Sequence, residues 1–293
     1  MNLRRLHRDD GEVLRELWNR AAPHDVLTAD LLAEKLWRDP DFDADLAAVA
    51  LEAGAIAGFA AGVLRAGGRG YIKLLAVEPV RQRRGIGRAL LDAVEKALAA
   101  NGARSLRLLE SAPNYLAPGI DTRYTAALAF AKAAGYRHIG EARNLSVDLA
   151  RLPAGRAVPA GIEVRRALRA DAPALNAFLD SHWPSWRAEA AVALANEPAT
   201  LHLALRDGRV VGFAAWDANN RGTGWFGPMG VDPRERGSGL GCVLLRRCLD
   251  DMRAQGHDAA VIAWVDNAPF YERCAGAVPS RNFARFEKLL HED

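Results

Sequence analysis

The 293-residue sequence has little cysteine: Cys242, Cys248 and Cys274 are all there is. The three lie in the second half, and no two stand in CxxC spacing. A sparse, odd set argues against a disulfide scaffold and fits a reducing compartment. The seven histidines show no HxxxH or HxH spacing, so no metal site is expected. Neither sign of charge is in excess: 39 basic residues face 36 acidic ones, a net charge of +3. Without a basic face or tail, nucleic-acid binding is not expected. The opening residues, MNLRRLHRDDGEV, lack the apolar stretch of a signal peptide, so a cytoplasmic protein is expected. One apolar run, Leu46–Leu64, is long enough to span a bilayer. Glu52 interrupts it, however, as do Gly54, Gly58 and Gly62, and a plainer copy begins at Leu201 with a charged turn in its middle. Both stretches read as β-hairpins and not as membrane spans.

What the sequence does hold is a repeat. Gly58-Phe59-Ala60-Ala61 recurs as Gly212-Phe213-Ala214-Ala215, and Val77-x-Pro79 as Val231-x-Pro233. Gly85-x-Gly87 recurs as Gly239-x-Gly241, Leu90-Leu91 as Leu244-Leu245, and Gly102 as Gly256. Earlier, Arg4-Arg5, Asp10 and Leu14 match Arg165-Arg166, Asp171 and Leu175 at a slightly longer offset. A period of this length means a duplicated domain. Residues 152–161 carry two prolines and two glycines without apolar periodicity, a linker signal. The expected domains are therefore 1–150 and 160–293.

Each copy reads as a short strand, a helix, a variable Trp-bearing segment, a hairpin, and a further strand (Tyr71 to Val77; Trp225 to Val231). A Gly- and Arg-rich turn and a long amphipathic helix follow, then a buried strand and a last helix. Ile86, Leu90, Val94 and Leu98 form one helical stripe, and Leu240, Leu244, Cys248 and Met252 the other. Strands and helices mixed within one unit make each copy α/β or α+β.

The turns read Gln82-Arg83-Arg84-Gly85-Ile86-Gly87 and Arg236-Gly237-Ser238-Gly239-Leu240-Gly241. Glycines allow a tight turn and close approach of a ligand, and a helix start offers unpaired N–H groups and the positive dipole end. Together these make a cradle for phosphate or pyrophosphate. No GK[ST] follows, which excludes a Walker loop, and the dinucleotide fingerprint does not fit either.

The pattern [QR]-x-x-G-x-[GA] after a strand ending V-x-P resembles motif A of the GNAT superfamily of acyl-CoA N-acyltransferases. Both copies match, so the resemblance covers nearly the whole chain as two tandem units, in a mycothiol-synthase-like arrangement. It implies a central mixed, mostly antiparallel sheet flanked by helices in each unit. It also implies acetyl-CoA as donor, its pyrophosphate on the amides of residues 82–87 and 236–241 and its pantetheine arm along the strand ends at Val77 and Val231.

In the family the departing thiolate often takes its proton from a Tyr on the last helix. Phe270-Tyr271-Glu272-Arg273 resembles that motif, although one residue more than usual precedes Gly276; in the first copy Ala131 stands in the Tyr position. The resemblance thus makes Tyr271 the general acid of a direct transfer in a ternary complex and the C-terminal copy the catalytic one. Asn267 and Asn114 are weaker candidates, and no general base is identifiable. The variable segment of the second copy, with Asp180, His182, Trp183 and Trp186, lines the acceptor site in the family; a Trp-rich lid packed on its own domain is the other reading. The expected function is N-acetylation of a primary amine on a small molecule, by a monomer or homodimer. The alternatives are a non-catalytic acyl-CoA sensor or scaffold, and an acetyltransferase acting on a protein amine.

Overall fold

The structure, a computed structural model, describes residues 1–290. The chain divides into two compact units, residues 1–142 with those from 282 onward, and residues 143–281. The first contains β1 (Asn2–Arg5), α1 (Gly11–Ala21), α2 (Ala29–Lys35), β2 (Ala47–Glu52), β3 (Ala55–Arg65), β4 (Arg69–Val77), α3 (Ile86–Ala100), β5 (Ser105–Leu108), β6 (Ile120–Asp121), α4 (Thr125–Ala133) and the start of β7 (Arg137–Asp148). The second contains the rest of β7, then β8 (Glu163–Arg166), α5 (Ala172–His182), α6 (Arg187–Ala195), β9 (Leu201–Arg206), β10 (Arg209–Trp216), β11 (Trp225–Val231), α7 (Leu240–Ala254), β12 (Ala259–Ile262), α8 (Ala268–Ala275) and the start of β13 (Val278–Leu289).

In each unit the early strands form an antiparallel meander, β1-β2-β3-β4 and β8-β9-β10-β11. One parallel pairing follows in each, β4 with β5 and β11 with β12. The two apolar runs are hairpins, as expected. Ala53-Gly54 (φ 51° and 79°) and Asp207-Gly208 (φ 49° and 75°) turn them, each a left-handed pair that matches strand twist. The runs are apolar on both faces because helices cover both faces of the sheet. Phe59 and Ala61 pack with Leu14, Leu17 and Leu31 of α1 and α2, while Ala57 and Ala60 pack with Leu90, Val94 and Leu98 of α3. Phe213 and Ala215 face α5 and α6 in the same way, and Ala214 and Trp216 face α7. No helix among the described residues is long and apolar enough to cross a membrane.

The landmarks at the two starts are matching ion pairs. Arg4 grips Asp10 at 2.6 and 2.8 Å, and Asp10 also accepts from His7 N at 2.8 Å. Arg165 grips Asp171 at 2.7 and 2.8 Å, and Asp171 accepts from Leu168 N at 2.7 Å. Each pair locks the turn between the first strand and the first helix.

Two expectations need correction. The division does not fall at 150–160: it cuts β7 and β13, so the expected domains 1–150 and 160–293 miss an exchange of final strands. Residues 287–289 pair with β5 of the first unit, and residues 145–148 pair with β12 of the second. Composition cannot report this, because the exchange is made by backbone pairing. Cysteine pairing was not expected either, yet Cys242 on α7 is bonded to Cys274 on α8, with Cα atoms 5.3 Å apart; Cys248 is free and buried. The helix packing that joins residues 32 apart leaves no trace in spacing.

Candidate acyl-donor and acceptor sites

Both glycine turns have the backbone a phosphate cradle needs. After Val77 and Val231, Pro79 and Pro233 begin short 3-10 turns, and the chain then reaches Gly85 (φ 83°) and Gly239 (φ 88°) at the starts of α3 and α7. No side chain caps α3, so the amides of Ile86 and Gly87 stay open, while the Ile86 side chain is core. In the second turn Ser238 Oγ accepts from Leu240 N at 3.3 Å and donates to Glu235 O at 2.7 Å; the Leu240 side chain is core. Gln82 spends its amide on Val77 O at 3.1 Å, fixing the strand end. Arg83, Arg84 and Arg236 are exposed, with Arg84 3.8 Å from Glu52. Arg83 (φ 62°) holds a left-handed backbone where the second copy has Gly237 (φ 81°).

Beyond each turn the parallel strands part. β4 and β5 pair as far as Ile72 and Leu108, after which Leu109 N reaches Ile72 O at 2.9 Å. Leu109 (φ 59°) and Glu110 (φ 43°) then carry the chain away. β11 and β12 pair only at Trp225 and Phe226. The remainder of β4 and of β11, up to Val77 and Val231, therefore presents an edge with no strand beside it. In the first unit this gap opens on a cavity of about 150 Å³, walled by Trp18, Leu75, Ile120 and Phe130, with Asp25, Asp121 and Tyr124 as polar groups. A space of that size holds a group about as large as a benzene ring. Tyr124 donates to Asp25 at 2.9 Å and accepts from His24 N at 2.9 Å.

Phe130 packs against Gly87 and Phe270 against Gly241, so the two last helices share one register. That register sets Ala131, fully buried, at the position of Tyr271. Tyr271 is flanked by Phe226 and Phe270, with ring centroids at 6.3 and 4.9 Å. Burial, with the charge of Asp266 adding to it, pushes the phenol up to about 12, so it stays protonated at neutral pH. Asn267 is the cap of α8, its Oδ1 accepting from Phe270 N at 3.4 Å. Asn114 is taken up with Lys35 and Glu34. Of the bend carboxylates, Glu78 pairs with Arg20, while Asp232 is buried and held down at about 2 by Arg234.

Three of the four expected acceptor residues come together. Trp183 lies on Gly230 of β11 and stacks on Trp186 at 5.2 Å, and His182 sits 5.3 Å from the Trp183 ring. Asp180 does not join them; it is exposed and paired with Arg187 at 2.9 Å. Sequence reasoning missed the buried network in which Asp39 binds both Arg65 and Lys73, with Lys73 also donating to Asn114 O at 2.6 Å. A lysine within the apolar strand YIKLLAV was the one signal of it. Among the described residues no three His, Cys, Asp or Glu cluster as a metal site would require.

The sequence profile of the Acetyltransferase (GNAT) family matches residues 11–118 and 163–277. A mycothiol acetyltransferase of Clavibacter sepedonicus is 33% identical over 233 residues, 73% of this chain and 72% of that one; its counterpart in Clavibacter michiganensis is equally similar. Among solved structures, the GCN5-related glucosamine N-acetyltransferase region of a fungal multi-domain GH3 beta-N-acetylglucosaminidase superposes with TM-score 0.82 at 22% identity; it covers 98% of this chain, which spans 38% of that protein. A tandem GNAT protein from the clavulanic acid biosynthesis pathway follows at TM-score 0.73 and 20% identity, covering 100% of this chain and 99% of its own. The family match in both copies, with the acetyltransferase relatives, makes this an acyl-CoA-dependent transferase, and the chain belongs to the GNAT family. It is a tandem member, an acyltransferase whose donor is acetyl-CoA. The residues present fit that donor, since a helix-start glycine turn, an exposed arginine and an unpaired strand edge recur in both units, although Leu240 N in the second is shared with Ser238 Oγ.

Proposed function

We propose that the chain moves an acetyl group from acetyl-CoA to a primary amine on a small molecule, with the chemistry in the second unit and Tyr271 as general acid. The observation that carries this reading is Tyr271 itself: a half-buried, protonated phenol beside Phe226, where β11 and β12 part. When bound, acetyl-CoA supplies an activated thioester. The amides of residues 236–241 hold its pyrophosphate, and the free edge of β11 up to Val231 lies along its pantetheine arm, as residues 82–87 and Val77 do in the first unit. Tyr271 keeps its proton until a thiolate forms, gives it to that sulfur and recovers one from solvent. The amine sheds its own proton to water, which needs no carboxylate on β11. Trp183, Trp186 and His182 flank the acceptor side and exclude water. The name of the Clavibacter relatives, mycothiol acetyltransferase, supports a small acceptor over a protein one.

Acetyl-CoA consumption against a panel of primary amines, followed by thiol release, tests this. Tyr271→Phe is expected to lower turnover about 100-fold or more while leaving acetyl-CoA affinity within about twofold. Unchanged turnover in that variant overturns the assignment.

A second role is supported for the first unit, that of holding acyl-CoA without turnover. Ala131 stands there in place of a phenol, and the nearby Tyr124 hydroxyl is bonded to Asp25. Calorimetry of acetyl-CoA into the wild type, Gly85→Glu and Gly239→Glu is expected to count two sites, then one in each variant. A single wild-type site untouched by Gly85→Glu removes this role.

A further inference from the structure

The two cradles differ in charge. Where the first has Arg83 and Arg84, the second has Gly237 and Ser238, and Arg234 is tied to Asp232 at 2.7 Å. Of the second turn's own arginines only Arg236 remains outside a described ion pair. The linker between the repeats supplies another cation. A Cβ placed on Gly239 would stand 3.5 Å from Arg156 Cδ and 3.6 Å from its Nη1, whereas nothing lies within 4 Å of the same point on Gly85. The linker is held there by two contacts. Arg246 of α7 donates to Pro153 O at 2.5 Å while paired with Asp250 at 2.9 Å, and the Pro153 ring lies 3.8 Å from the Cβ position of Gly276. Arg156 is exposed and has no carboxylate partner among the described residues.

We propose that Arg156 is a donor-binding residue of the second unit, its guanidinium lying over the Gly237–Gly241 turn to bind the pyrophosphate of acetyl-CoA. This rests on the reading that the second turn holds that pyrophosphate. A guanidinium presents paired N–H donors to phosphate oxygens, and the turn amides alone leave much of the double charge uncompensated. The linker thereby restores to the second cradle a cation that Gly237 and Ser238 do not provide.

The test is calorimetry on the full chain with Gly85→Glu as background, so that only the second site reports, using acetyl-CoA, 3′-dephospho-CoA and S-acetylpantetheine as probes. Arg156→Ala is expected to weaken acetyl-CoA and 3′-dephospho-CoA by about 10-fold each, and Arg156→Lys by less. S-acetylpantetheine, which has no pyrophosphate, should bind both variants as it binds the parent. Unchanged or tighter acetyl-CoA binding in Arg156→Ala overturns the proposal, and tighter binding would mean that Arg156 competes for the cradle. An equal loss for S-acetylpantetheine overturns it as well, because the effect would then be one of folding. A loss confined to acetyl-CoA, with 3′-dephospho-CoA spared, overturns the assignment to the pyrophosphate. Adding Gly239→Glu separates the two levels of the argument: if acetyl-CoA still binds at the second site, the cradle reading itself fails and Arg156 with it.

Discussion

Phe270 lies edge-on against Gly241, its Cζ 3.2 Å from where a Cβ would stand; the matching contact between Phe130 and Gly87 is looser, at 3.7 Å. Only the second is ordinary van der Waals spacing. Gly241→Ala must therefore displace the tip of the Phe270 ring by a few tenths of an ångström, next to Tyr271 on α8. The expected result is a turnover loss of about 10-fold or more, since small misplacements of a reacting group are costly. Gly87→Ala should leave acetyl-CoA binding and stability close to wild type. Equal effects of the two substitutions, read by thermal unfolding and steady-state kinetics, would contradict this packing argument.

Arg83 holds a left-handed backbone that costs an L-residue about 1 kcal/mol, at the place where the second copy has Gly237. Arg83→Gly relieves that strain, although glycine also gains freedom in the unfolded chain, so the net gain is expected to be about 0.5 kcal/mol. The same change removes a cation from the first cradle. Higher stability in urea with weaker acetyl-CoA binding at the first site is the predicted pair. A loss of stability would show that the Arg83 side chain contributes more to the fold than its backbone costs.

Much of the architecture was readable because the repeated residues are ones that backbone geometry demands. Gly85 and Gly239 sit at positive φ, the prolines of V-x-P begin 3-10 turns, and Asp10 and Asp171 each close a turn through an arginine. Such requirements survive duplication. The strand exchange was not readable, because β7 and β13 pair through main-chain groups that any residue carries. The Trp183 platform needed Gly230 brought beneath it, and the Asp39 network unites a loop, a hairpin strand and β4. Those relationships exist only after folding, whereas the glycine turns can be read from residue type and spacing alone.

Asp171 accepts two bonds from Arg165 and one from Leu168 N, and the Arg165 guanidinium holds its carboxyl below the usual range. A depressed folded-state value favours the charged form. The stabilisation is therefore complete above the unfolded value near 4 and is lost as pH falls through the folded one. Asp171→Asn should be less stable than wild type at pH 7, and the two should converge as pH falls through the depressed folded-state value. Asp10→Asn should behave likewise, since Arg4 holds Asp10 down in the same way. Urea midpoints across pH 2–7 are the check, and a gap that stays constant with pH would rule out the ion pair as its source.

The bond between Cys242 and Cys274 joins the first turn of α7, next to the second glycine turn, to α8, three residues beyond Tyr271. Closing a loop across a separation of 32 residues restricts the unfolded chain by about 3–4 kcal/mol on the loop-entropy estimate. A phosphine reductant should therefore lower the melting temperature of the second unit by several degrees. Cys242→Ser/Cys274→Ser should melt at the reduced temperature with or without reductant. Thiol titration of denatured, unreduced protein distinguishes the states directly: Cys248 alone should react if the bond is formed, all three cysteines if it is not. Holding α7 to α8 also holds Gly241 to Phe270, so reduction should weaken acetyl-CoA binding at the second site more than at the first. A melting temperature indifferent to reductant, together with three reactive thiols, would show that the two helices keep their register without a covalent tie.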